Sequence, residues 1–143
     1  MISADGFVVT RELPAGPDEV FVHFTRPELF ARWFVVPGFD TPAAKISLDP
    51  RPGGAIAGVL VSPENGDEIP FAARYGDIEP DRMVRFLFTD PPEEVTLTLD
   101  DLGEGHTRLS YRNVGTGGDH TEAIAGVNGM LDAMETSLKG SAF

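Results

Sequence analysis

Cysteine is absent, so this chain can form no disulfide, no thiolate metal site and no cysteine nucleophile. Lysine is almost absent: Lys45 and Lys139 are the only two, and the arginines are scattered rather than clustered. With a net charge of −12, the field of the whole molecule repels phosphate backbones and anionic lipid. Neither nucleic acid nor a membrane surface is therefore expected as a partner. No apolar run approaches the roughly 18 residues that a membrane-spanning helix needs. The opening "MISADGFVVT" has no basic stretch followed by an apolar core, so no signal peptide is expected and a cytoplasmic address fits. Of the histidines, His23 has no partner at helical spacing, His106 sits at a turn exit, and His120 stands beside an acid at a helix start. No zinc spacing, calcium loop or Ser-His-Asp arrangement can be read, so no metal, cofactor or catalytic set is expected.

What is present is an ordinary globular composition, 41% hydrophobic over 143 residues, which suits one domain spanning 1–143. "FVVTREL" (7–13) is β-branched and apolar and reads as a strand. Gly16 caps a short helix with Pro17 at its first position, where a missing N–H costs nothing, and Asp18 and Glu19 suit the positive helix end. Val20, Phe21 and Phe24 share its inner face. "TRPELFARWF" (25–34) follows as a second short helix, with Thr25 and Glu28 at capping-box spacing and Pro27 in the first turn. It carries the only tryptophan, Trp33.

From about residue 43 the pattern becomes short alternating runs. "AKISLD" puts Ala44, Ile46 and Leu48 on one face. "AIAGVLV" and "EIPFAARYGDIE" flank Asn65-Gly66, the best hairpin signal in the chain. "MVRFLFT" sets Val84, Phe86 and Phe88 in step. "VTLTLDD" points Val95, Leu97 and Leu99 inward, and "HTRLSYRNV" does the same with Leu109 and Tyr111. Outward Arg108 and Arg112 are expected to face threonines or acids on the next strand. Such clean alternation predicts an antiparallel sheet with one wet face. After "GTGG", Asp119 and Glu122 offer a capping box, and Ile124, Val127, Met130 or Leu131, Met134 and Leu138 recur at helical spacing. The order is strand, two short helices, six strands and one long helix. The fold class expected is α+β, β-α-α-β6-α, a bent antiparallel sheet gripping the C-terminal helix.

These motifs, in this order over nearly the whole chain, resemble the START-like, helix-grip proteins of the SRPBCC superfamily (Bet v 1-like in fold). The resemblance is closest to the activator-of-Hsp90-ATPase-homologue-like (AHSA1-like) family. It is carried by "VTRELPAGPDEVF", "TRPELFARWF", "DPRPGG", "GDIEPDRMV", "VTLTLDDLGEGHTRLS" and "GMLDAM". It implies a cavity between sheet and long helix, used across the superfamily for apolar molecules. Family members commonly carry Gly-Trp where this chain has Gly126 and Val127. Replacing an indole by an isopropyl group predicts a larger cavity at that face, with Met130 and Met134 free to reshape around a ligand.

Ligand-binding candidates follow from inward position and size: Trp33, Phe71, Arg74, Tyr75, Phe86, Tyr111, Val127, Met130 and Met134. For Phe21 and Phe24 plain core packing is expected. The buried indole N–H of Trp33 needs a partner, which a ligand oxygen or a backbone carbonyl would serve equally. Arg74 depends on strand phase. If Ile78 faces inward then so does Arg74, a carboxylate anchor; if Phe71 and Tyr75 face in, Arg74 is solvated; a bulge would reconcile the two. The loop "NVGTGGDH" mimics a phosphate cradle but lacks the Gly-Lys-Ser/Thr ending, and Asp119 would repel phosphate. The function expected is binding of an apolar or amphipathic small molecule without catalysis. The alternatives are a polyketide cyclase or hydrolase, which needs Arg74, Tyr111 or His120 inside the cavity, and an Hsp90 co-chaperone-like module. A homodimer is left open.

Overall fold

The computed structural model describes residues 6–36, 38–89, 92–115 and 120–140. Strand β1 (Gly6–Leu13) leads into helix α1 (Pro17–Phe21), a 3-10 turn at Val22–Phe24, and helix α2 (Pro27–Trp33). A second 3-10 turn (Ala43–Lys45) precedes strands β2 (Ser47–Leu48), β3 (Ala55–Val61), β4 (Glu68–Glu79), β5 (Met83–Thr89), β6 (Pro92–Gly103) and β7 (His106–Val114). Helix α3 (Thr121–Gly140) ends the described chain. All strand pairings are antiparallel, in the order β1-β7-β6-β5-β4-β3-β2. This is the helix-grip arrangement that the alternation and the long terminal helix predict.

The inner face of the sheet is apolar because of two-residue periodicity. Val9 and Leu13, Val84 and Phe86, Val95, Leu97 and Leu99, and Leu109 and Tyr111 are all buried. They meet Val127, Leu131, Met134 and Leu138 from one stripe of α3. Each fully buried Leu or Phe contributes roughly 1.5–3 kcal/mol of transfer free energy, so these rows hold the sheet around the helix. Polar residues take the convex face. Arg108 stands opposite Asp100 and Glu12, and Arg112 opposite Thr96, as the alternation predicts. The hairpin signal acts where it was read, with Gly66 at φ 77° between β3 and β4; between β6 and β7 the chain turns through Glu104 and Gly105, at φ 55° and 75°.

Two local readings change. Helix α1 does start with Gly16 as its cap and Pro17 first, but α2 is not closed by a capping box. Its cap residue is Arg26, and the Thr25 hydroxyl turns back to the Val22 carbonyl at 3.5 Å. Pro27 already removes one orphan donor, and no side-chain cap forms. The run "AKISLD" is extended only at Ser47–Leu48; Ala44 is exposed, while Ile46 is buried as expected. The cap at Asp119 and the "GTGG" loop lie outside the described residues.

One glycine is required by packing. Gly58 of β3 stands opposite Phe71 of β4, and a Cβ built on Gly58 would lie 2.5 Å from the Phe71 ring. The ring covers the space where a side chain would be. Gly58→Ala should therefore displace Phe71 and destabilise the fold by about 1–3 kcal/mol, the usual cost of overpacking. Urea unfolding of Gly58→Ala, Phe71→Ala and the double variant checks this: the double variant should lose less than the sum of the singles.

Candidate functional site

The stretch around Trp33 builds one wall of the only large aromatic cluster in the described core. Phe24 and Phe30 meet the Trp33 ring edge-to-face, at centroid distances of 5.6 and 5.5 Å. Both also touch Phe86 of β5, at 6.4 and 6.3 Å, which ties the short helices to the sheet. Such geometries place positive ring edges on negative ring faces.

Two hydrogen bonds fix this wall. The 3-10 turn at Val22–Phe24 ends in a buried position, where its last carbonyls lack helical partners. Trp33 Nε1 donates to the His23 carbonyl at 2.7 Å, and the Tyr75 hydroxyl donates to the Phe24 carbonyl at 2.6 Å. The indole thus takes the backbone partner of the two alternatives. His23 itself is buried and links three helices. Its Nδ1 donates to the Glu19 carbonyl at 2.9 Å, so its Nε2 accepts from the Ser137 hydroxyl, also at 2.9 Å. Arg32 Nη1 donates to the same Ser137 oxygen at 3.4 Å. A Ser-His pair of this kind can activate a nucleophile, but Ser137 does not line the cavity; it joins α3 to α1 and α2. Burial, with Arg32 nearby, lowers the pKa of His23 below its ordinary value despite the opposing Glu19 interactions.

Beside this wall lies an apolar cavity with a void of about 20 Å³, room for about one water molecule. Phe30, Trp33 and Phe34 line it from the α2 side; Ile56, Phe71, Ala73, Phe86, Phe88, Val95 and Tyr111 line it from the sheet. Phe34 and Phe71, both half-buried, meet across it at 5.0 Å. Among the described residues no group of three or more His, Asp or Glu could hold a metal ion. No described helix is long and apolar enough to cross a membrane.

Comparison with known proteins agrees with this architecture. Residues 14–139 match the family described as "Activator of Hsp90 ATPase homolog 1-like protein". The chain belongs to this AHSA1-like family. A crystal structure of a Chromobacterium violaceum protein aligns with TM-score 0.80 and 25% identity, covering 92% of this chain and 96% of that one. A Rhodobacter sphaeroides protein aligns with TM-score 0.81 and 21% identity, covering 100% and 98%. An AHSA1-like protein from Aeromonas hydrophila, solved by NMR, gives TM-score 0.75 and 16% identity over 94% of each chain. The hydrogenase expression/formation protein HupH of Rhizobium leguminosarum bv. viciae is 40% identical over 74 residues, 51% of this chain. The match spans only 25% of that curated protein's length.

In this AHSA1-like chain the structure divides the candidates read from sequence. Trp33, Phe71, Phe86 and Tyr111 line the cavity together. Tyr75 is fully buried just behind it, 5.6 Å from Phe86, with its hydroxyl already bonded. Arg74 is a correction. It is exposed on the outer face and donates to the Gly53 carbonyl at 3.1 Å. A bulge shifts the β4–β5 register between Tyr75 and Ile78, so both can turn inward while Arg74 stays in water. Val127, Met130 and Met134 are a second correction. Val127 and Met134 are buried in the core and Met130 packs against it, but none of the three borders the cavity. The void sits under α2, and Val127, 4% exposed, is packed in the core away from it. Phe30, Phe34, Ile56, Ala73, Phe88 and Val95 were missed as lining residues. The in-step Phe86 and Phe88 were the available signal.

Tyr75→Phe leaves the Phe24 carbonyl buried without its donor and should cost about 1–3 kcal/mol in urea unfolding. His23 gives a pH prediction. Because its folded pKa is lowered from 6.5, its contribution is complete above that value and is lost as pH falls below it. Stability measured from pH 7.5 to 5 should fall more steeply for the wild type than for His23→Gln.

Proposed function

We propose that this chain, as one domain, binds a small apolar or amphipathic molecule in the cavity between α2 and the sheet, and performs no chemistry there. The observation that supports it is the ring of half-buried aromatics, Phe34, Phe71 and Phe88, around an unfilled, apolar hollow. Pockets for small molecules are concave, mostly apolar and aromatic-lined. The void as it stands is closed to anything larger than water, so occupancy requires the Phe34–Phe71 pair to separate. Phe34 follows the last turn of α2 and the Phe71 ring lies over Gly58; turning either ring breaks no backbone hydrogen bond. Trp33, 2% exposed and at the cavity wall, reports on filling.

The likeness to HupH favours a second reading, in which the chain supports hydrogenase expression or formation. Deleting the gene from a hydrogenase-bearing host would lower hydrogenase activity under that reading and leave it unchanged under ligand carriage alone.

Titration with ethylbenzene should shift or quench Trp33 emission with one-to-one stoichiometry and raise the unfolding temperature. Phe71→Ala should bind it faster, because half of the aromatic pair at the mouth is gone. A panel of small aromatic and aliphatic compounds that left both the emission and the unfolding temperature unmoved would overturn the proposal.

A further inference from the structure

Charge on a bound molecule needs a countercharge or several hydrogen bonds from the wall around it. Among the described residues lining the cavity there is no Lys, Arg, His, Asp or Glu. Three arginines adjoin lining residues in the chain, and all three are engaged elsewhere. Arg74, next to Ala73, lies on the outer face and donates to the Gly53 carbonyl. Arg32, next to Trp33, is exposed and donates to Ser137 Oγ. Arg85, next to Phe86, pairs with Asp77 and Glu94. The indole N–H of Trp33 is given to the His23 carbonyl. That leaves the Tyr111 hydroxyl as the one further polar side-chain group in the lining.

The main chain is spoken for as well. A helix C-terminus leaves carbonyls that could accept from a bound cation, and α2 ends at this cavity. Yet the Phe30 carbonyl accepts from Phe34 N at 3.0 Å, and that of Trp33 from Val35 N at 2.9 Å. The Phe34 carbonyl accepts from the Thr41 hydroxyl at 2.8 Å. On the sheet side Ile56, Phe86, Val95 and Tyr111 are each paired with a neighbouring strand on both edges. A carboxylate or an ammonium ion moved into this wall would find no countercharge and at most one side-chain hydroxyl. A carboxylate would also approach against a net charge of −12. A neutral oxygen loses far less on leaving water, and a single hydroxyl can serve it.

Resting on the proposed ligand cavity, we infer that its ligand is uncharged: a largely apolar molecule whose polar part, where it has one, is an alcohol, ether or carbonyl oxygen. Carboxylates and ammonium ions with the same apolar body are excluded from the cavity.

Four molecules of similar shape test this on the full chain at neutral pH: ethylbenzene, 2-phenylethanol, 2-phenylethylamine and phenylacetate, followed by Trp33 emission and thermal shift. The alcohol should bind at least about tenfold more tightly than either ion. A pH series gives a second reading. At about pH 10, where an alkylamine loses its proton, the amine should gain affinity while the alcohol keeps its own. The Tyr111 phenol stays neutral there, because burial and then the charge of Glu93 raise its pKa. Either ion binding as tightly as the alcohol at neutral pH would overturn the inference, and so would an amine affinity that did not rise with pH. Both results leave the cavity as a ligand site. If none of the four binds, the cavity reading and this inference fall together.

Discussion

Two buried carbonyl oxygens, those of His23 and Phe24, set the terms for the rest of this structure. A 3-10 turn between two short helices exposes its terminal carbonyls, and here that turn is packed inside the molecule, where water does not reach them. Each finds a donor on a large aromatic side chain: the indole of Trp33 from the following helix, the phenol of Tyr75 from the sheet. Leaving either oxygen unpaired would cost more than most single contacts supply. The requirement therefore fixes how the short helices lie on β4, and with them the position of the cavity wall.

Charge is sorted by the same sheet. Two-residue alternation sends Arg85, Arg108 and Arg112 to the convex face, where Arg85 pairs with Asp77 and Glu94. Arg74, one position before buried Tyr75, goes there by the same alternation, and the bulge beyond it lets Ile78 turn inward. The concave face is left mostly apolar, and its buried polar groups are spread along it, with Thr107 bonded to the Ala15 carbonyl near the start of β7 and Asn113 near its end.

The His23 cluster shows how a polar group can serve packing and still carry chemical consequences. Its imidazole bonds to a carbonyl on one side and a serine hydroxyl on the other, so three helices meet at one neutral ring. The same residue offers its carbonyl to Trp33. The joint between α1 and α3 and the cavity wall thus share one residue.

Much of the architecture was written in the chain itself. Strict alternation in "VTLTLDD" and "HTRLSYRNV" determined which side chains face inward, since a strand exposes alternate residues to opposite faces whatever surrounds it. Asn65-Gly66 determined the β3–β4 turn, since glycine adopts positive φ at little cost. Apolar spacing from Ile124 to Leu138 determined the inner stripe of α3, and the inward Trp33, Phe71, Phe86 and Tyr111 were legible on the same grounds. Tertiary structure alone decided the side on which Arg74 lies, because a single extra residue in β4 reverses the alternation beyond it. It also decided that the cavity lies under α2 with Val127 outside its lining, because the place of a void depends on how neighbours close around each side chain. And it brought His23 to Ser137, 114 residues apart, a pairing that no local spacing can encode, since it depends on where two helices cross.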